Sequence, residues 1–101
     1  MWKDVPPQHW NTPSGQYAWQ GVGGKCVQLG DAKLAYERNR LADEVLQGSG
    51  VSFVRTWNHD APLWRAHNGK DCTHYCNPGP VTLTWASETL RVVSQLLMHG
   101  G

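Results

Sequence analysis

The sequence predicts an α/β fold, read as the last βα unit of a parallel sheet rather than as a self-sufficient domain. Three observations carry this. Residues 31–47 and about 80–98 have helical apolar spacing, and the β-branched and aromatic run VSFVRTW at 51–57 lies between them. One strand between two helices cannot form a sheet alone, whereas a strand followed by a crossover helix is the repeating unit of a parallel α/β sheet. The chain is 101 residues long, the size of one small domain or of a piece of a larger one.

Residues 1–30 are rich in Gly, Pro, Gln and Asn, and PPQHWNTPSGQYAWQGVGGKC reads as an ordered loop or a few short strands pinned by aromatics. The GVGG stretch lacks the strand before it and the helix after it that a phosphate-binding loop needs, so it reads as a turn and no cofactor is expected. DAKLAYERNRLADEVLQ, residues 31–47, follows as a helix with Asp31 as N-cap, Gly48 as its stop and Leu34, Leu41, Val45 and Leu46 as its buried stripe. After the strand at 51–57 comes a loop, NHDAPLWRAHNGKDCTHYCNPGP. The closing helix, from Pro80 to about residue 98, has Trp85, Thr89, Val92, Val93, Leu96 and Leu97 on its buried face, and proline suits its first turn.

Formal net charge is +1, charged residues make up 17% of the chain, and both signs are mixed along it. A polyanion binder would carry a basic face or stripe, so nucleic acid is not an expected partner. No apolar run approaches the 18 residues or more of a membrane span, and MWKDVPPQHW has no signal-peptide core. The six tryptophans, Trp2, Trp10, Trp19, Trp57, Trp64 and Trp85, are expected to pack the core; a stacking platform for sugar rings in a non-catalytic carbohydrate-binding module is the alternative.

The chemistry is concentrated in KDCTHYCNPGP, residues 70–80. A metal site would use Cys72, His74 and Cys76 with His67, His59 or Cys26 as a fourth ligand. Structural zinc sites use two knuckles, and only one is present here. A disulfide would join Cys26 to Cys72 or Cys76, leaving one thiol over and bracing the turn. A catalytic reading uses Asp71 and His74: three residues apart on a tight loop, the carboxylate can orient the imidazole and the imidazole can act as general base. The loop follows a strand, and α/β enzymes place their sites at the carboxyl ends of strands.

DCTHYCNPGP with its Trp-bearing helix resembles the Asp-Cys-Ser-His-Trp-Cys-Leu-Pro-Gly stretch of the plant trichome birefringence-like proteins, in the PC-esterase group. The likeness continues outward. DVPPQHWNTPSGQYAWQGVGGKC is similar to that family's Ser-Pro-x-His-Phe segment running on to Gly-Gly-x-Cys, and LWRAH, residues 63–67, to its Leu-Arg-x-Asp-x-His segment. The resemblance implies the C-terminal fragment of a three-layer α/β/α SGNH-hydrolase-like (GDSL-like) domain. It implies a cell-wall polysaccharide O-acetyltransferase with a Ser-His-Asp triad, acting in the Golgi lumen on a polysaccharide acceptor and an acetyl donor. An acetylesterase of the same fold is the alternative.

In this resemblance His74 is the general base and Asp71 its orienting partner. His9, Trp64 and Arg65 are candidates for substrate binding, with a structural His9 and a solvated Arg65 as the blander readings. His67 reads as a solvent-facing loop histidine. Cys26, Cys72 and Cys76 match disulfide-forming cysteines, so that one of the last two would pair upstream of this chain. The family's Gly-Asp-Ser nucleophile block is not in this sequence, and its Pro-Asp-Thr-Trp becomes TLTW. Ser49 follows a helix and precedes a strand, the reverse of a nucleophile elbow, and Ser14, Ser52, Ser87 and Ser94 have no supporting motif. The 101 residues are therefore expected to be inactive alone, with any membrane anchor lying outside them.

Overall fold

The computed structural model describes residues 1–17, 25–29, 35–68 and 71–98. Trp2–Lys3 form β1, Glu37–Leu46 α1, Phe53–Val54 β2, Trp57–Asp60 α2 and Pro80–Met98 α3. Strands β1 and β2 pair in parallel, Trp2 opposite Phe53 and Lys3 opposite Val54. Parallel neighbours require a crossover connection, and α1 lies on it.

The strand expected over 51–57 is shorter than its β-branched content suggests, and Asp4 is the reason. Its buried carboxylate accepts the backbone N–H of Thr56 at 3.0 Å and of Trp57 at 3.1 Å. These donors leave the sheet ladder and open α2 instead, so the end of β1 caps a helix 52 residues further along. Arg55 closes the arrangement, its guanidinium 3.3 Å from Asp4 and 2.6 Å from Asp43 on α1.

The buried face of α1 also differs from the expectation. Asn39 and Ala42 are buried, whereas Leu41 and Val45 are exposed. The Asn39 amide accepts from the Val5 N–H at 2.7 Å and donates to the Val5 carbonyl at 3.0 Å, pairing with the backbone as a neighbouring strand would. That bidentate contact turns the Asn39 face inward and Leu41 and Val45 outward. Asp31, Leu34, Trp19 and the GVGG stretch lie outside the described residues.

On α3, Val81 and Val92 are buried against the core and Trp85, Thr89 and Val93 are half-buried, but Leu96 and Leu97 are exposed, Leu97 at 78%. The expected stripe ends early for a geometric reason. A helix of 19 residues runs about 28 Å, and strands of two residues span only about 7 Å, so the last turns pass beyond the sheet. Among the described residues, the buried polar side chains of Asp4, His9, Asn39, Thr56, Asp60 and His67 are hydrogen-bonded, and these bonds join segments distant in sequence.

Candidate functional site

Residues 66–68 run antiparallel to residues 74–76. The Cys76 N–H donates to the Ala66 carbonyl at 2.9 Å, the Asn68 N–H to the His74 carbonyl at 3.3 Å, and His67 bridges Tyr75 in antiparallel register. The tip carries Asp71 and His74. The segment then turns into α3 through Pro78, Gly79 and Pro80. A Cβ on Gly79 would lie 2.7 Å from the Cys76 carbonyl oxygen, so the turn has no room for a side chain there.

Within the tip, one Asp71 oxygen accepts the backbone N–H groups of Thr73 at 2.7 Å and His74 at 3.2 Å, and the other accepts the His74 Nδ1–H at 2.6 Å. The aspartate thus shapes the turn and fixes the ring of His74 together. Desolvation pushes the Asp71 pKa up, but the His74 hydrogen bond and the two backbone donors outweigh it and hold the carboxyl below its ordinary range. With Nδ1 committed as donor, the lone pair of His74 lies on Nε2. The ring is 80% exposed, against 42% for Asp71, so Nε2 is reachable from outside. An oriented tautomer with an accessible Nε2 is what a general base requires.

The N-terminal segment lies beneath this tip as a strap. His9 N–H donates to the Cys72 carbonyl at 2.9 Å, and Val27 N–H donates to the His9 carbonyl at 2.8 Å. The Trp10 indole N–H donates to the Thr73 hydroxyl at 2.8 Å, and the Tyr75 hydroxyl donates to the Pro7 carbonyl. A disulfide joins Cys26 to Cys72 with Cα atoms 5.3 Å apart. That bond takes Cys72 out of any thiolate metal set and leaves Cys76 as an exposed free thiol. Among the described residues no three His, Cys, Asp or Glu side chains converge as metal ligands.

The other sequence candidates are distributed as follows. His9 is fully buried with both ring nitrogens engaged, so it supports the turn from below and meets no solvent. His67, expected in solvent, is buried beside it because its ring stacks on Tyr75, with centroids 4.2 Å apart. Arg65 is exposed and lays its guanidinium over the Trp64 ring at 4.4 Å from the centroid, a cation–π pair on the same loop. Among the remaining described tryptophans, Trp57 is buried, Trp85 has Lys3 over its ring, and Trp10 packs edge-on against Tyr17.

One constellation escaped the sequence reading. His59 Nδ1–H donates to Asp60 at 2.8 Å, its Nε2 accepts from the Thr84 hydroxyl at 3.2 Å, and the Trp85 indole N–H donates to Asp60 at 2.6 Å. Thr84, His59 and Asp60 have the connectivity of a triad, but both nitrogens of His59 are occupied and the set ties α2 to α3. The adjacent His-Asp pair was visible in the sequence; its partner, 25 residues away on another helix, was not. A hollow of about 330 Å³ opens between Asp4, Arg55 and His59. No family model, curated protein or solved structure matches this chain.

Proposed function

We propose that this chain carries the acid–base end of an acyl-transfer site, in the C-terminal part of an SGNH-type three-layer α/β/α domain of the PC-esterase kind. The observation that carries the reading is the Asp71–His74 contact of 2.6 Å with Nε2 of His74 left accessible. His59 has the same carboxylate contact, but its Nε2 is held by Thr84. In the proposed reaction His74 takes the proton of a serine, which attacks an acetyl donor and forms an acyl-enzyme. His74 gives that proton to the leaving group, then takes the proton of a polysaccharide hydroxyl as this attacks the acyl carbon, and finally returns it to the serine. Asp71 holds the tautomer and stabilises the imidazolium throughout. If water replaces the glycan, the same residues make an acetylesterase. The serine would come from a Gly-Asp-Ser block outside this sequence, and the parent protein would work in the Golgi lumen. The Cys26–Cys72 disulfide is consistent with the secretory pathway.

The test begins with sequencing the transcript upstream of Met1 for an in-frame Gly-Asp-Ser segment. The encoded protein is then assayed for acetyl transfer to xylan and other wall polysaccharides. His74→Ala is expected to lower turnover by about 10⁶-fold and Asp71→Asn by about 10⁴-fold, the losses seen when the base or its orienting carboxylate is removed from a triad, with little change in KM. An upstream stop codon, or transfer that survives His74→Ala, would overturn the proposal.

A further inference from the structure

Beneath the turn, His9 Nδ1 and His67 Nε2 lie 2.6 Å apart with both rings buried. Their outer nitrogens face carbonyls: His9 Nε2 is 2.8 Å from the Ala61 oxygen, and His67 Nδ1 is 2.9 Å from the His74 oxygen. A carbonyl only accepts, so both outer nitrogens must carry protons. If each ring were neutral, those two protons would be all there are. Two lone pairs would then face each other across 2.6 Å with no hydrogen between them. If both rings were cationic, two N–H groups would collide there. Only three protons on four nitrogens satisfy every contact, which gives the pair one positive charge and a single proton in the central gap.

We infer that His9 and His67 share one proton as a singly charged pair, and that this pair positions the main chain of His74. The hydrogen bonds run in one line from the Ala61 carbonyl through both rings to the carbonyl of His74, the residue whose side chain Asp71 orients. The catalytic part of the inference rests on the acyl-transfer reading; the shared proton does not.

The groups around the pair fit one positive charge and no more. Asp60 faces His9 from α2 and favours its charged form, while Asp71 does the same for His67 and His74 opposes it. Tyr75 stacks on His67 and stands edge-on to His9, its hydroxyl occupied by Pro7. Burial, the largest influence on each ring, pushes both pKa values down and so opposes charge on the pair; one proton is kept because the four contacts require it, and a second has no contact to hold it.

Nitrogen NMR of the ¹⁵N-histidine-labelled chain at neutral pH tests the pair directly. The expected spectrum has His67 protonated on Nδ1, His9 protonated on Nε2, and one further, downfield-shifted proton that couples to both His9 Nδ1 and His67 Nε2. His67 found without a proton on Nδ1, His9 without one on Nε2, or no coupling between the rings, would overturn proton sharing. Positioning is read from the proton between His74 Nδ1 and Asp71. His67→Asn keeps an amide donor where Nδ1 stood, so it should lose the inter-ring coupling yet leave the Asp71–His74 signal in place. His67→Ala should shift or broaden that signal; an unmoved signal would overturn positioning. None of these readouts needs acetyl transfer, so failure of the acyl-transfer reading would leave them standing.

Discussion

His9 and His67 lose water on folding, and this couples their chemistry to stability. Burial is the largest cause of the lowered pKa of each ring. The sign follows from linkage. The contacts on all four nitrogens hold the first proton; burial opposes the second and pushes its uptake below the ordinary value of 6.5, so in that range the unfolded chain takes up the second proton more readily than the folded one. The part of the stability set by the second proton is therefore present in full above about pH 6.5 and is lost as pH falls below it, when that proton forces two N–H groups into the central gap. Urea unfolding at pH 7.5 and pH 5 should show a lower midpoint at pH 5, with the difference reduced in His67→Asn. An unchanged midpoint would show that neither ring is perturbed on folding. At this scale the sequence was partly legible. Asp71 and His74, three positions apart, are a contact that local geometry alone can make. His9 and His67, 58 positions apart, meet only because the strap passes beneath the hairpin, and a lone histidine carries no sign of that.

Helices and strands were read from periodicity, and the departures have one cause: polar side chains from elsewhere in the chain overrode the local pattern. Asp4 ends β2 and opens α2 by accepting two backbone donors, so Trp57, expected at the end of the strand, starts the helix instead. Asn39 replaces Leu41 and Val45 on the inner face of α1 because it satisfies both backbone groups of Val5. Replacing Asn39 with Ala leaves that N–H and C=O without partners and should destabilise the fold by about 2–4 kcal/mol. Leu41→Ala, on the exposed face, should cost less than about 0.5 kcal/mol. Chemical denaturation of the two variants checks the assignment: equal losses would mean that apolar burial and not the amide decides which face of α1 is inside. Hydropathy cannot reveal such a residue, since an asparagine that pairs with backbone is identical in sequence to one in solvent.

The described structure measures 49 × 30 × 18 Å with a radius of gyration of 15.0 Å, above the roughly 13 Å of a compact domain of about 100 residues. Leu83, Leu90 and Leu97 recur every seven residues along α3 and all are exposed. In so flat a structure the Cys26–Cys72 bond, closing a separation of 46 residues, supplies a large share of the stability, about 3–4 kcal/mol on loop-closure grounds. Reduction, or Cys26→Ser with Cys72→Ser, should lower the unfolding free energy by that amount and release the strap from the turn that bears Asp71 and His74. Cys76→Ser should leave stability within about 0.5 kcal/mol, as an exposed site would. Circular dichroism melts with and without reductant would decide, and unchanged melting on reduction would show that hydrogen bonds alone hold the strap. Sequence by itself determined the two main helical stretches, the tight turn bearing Asp71 and His74, and the choice of partners open to Cys26, because each depends on residues close together or on a short list of thiols. Tertiary structure decided that Cys72 is the partner, that Asn39 and not Leu41 faces inward, and that His9 and His67 join under the turn. Those outcomes depend on which distant groups can satisfy one another once water is excluded, and no local pattern encodes that.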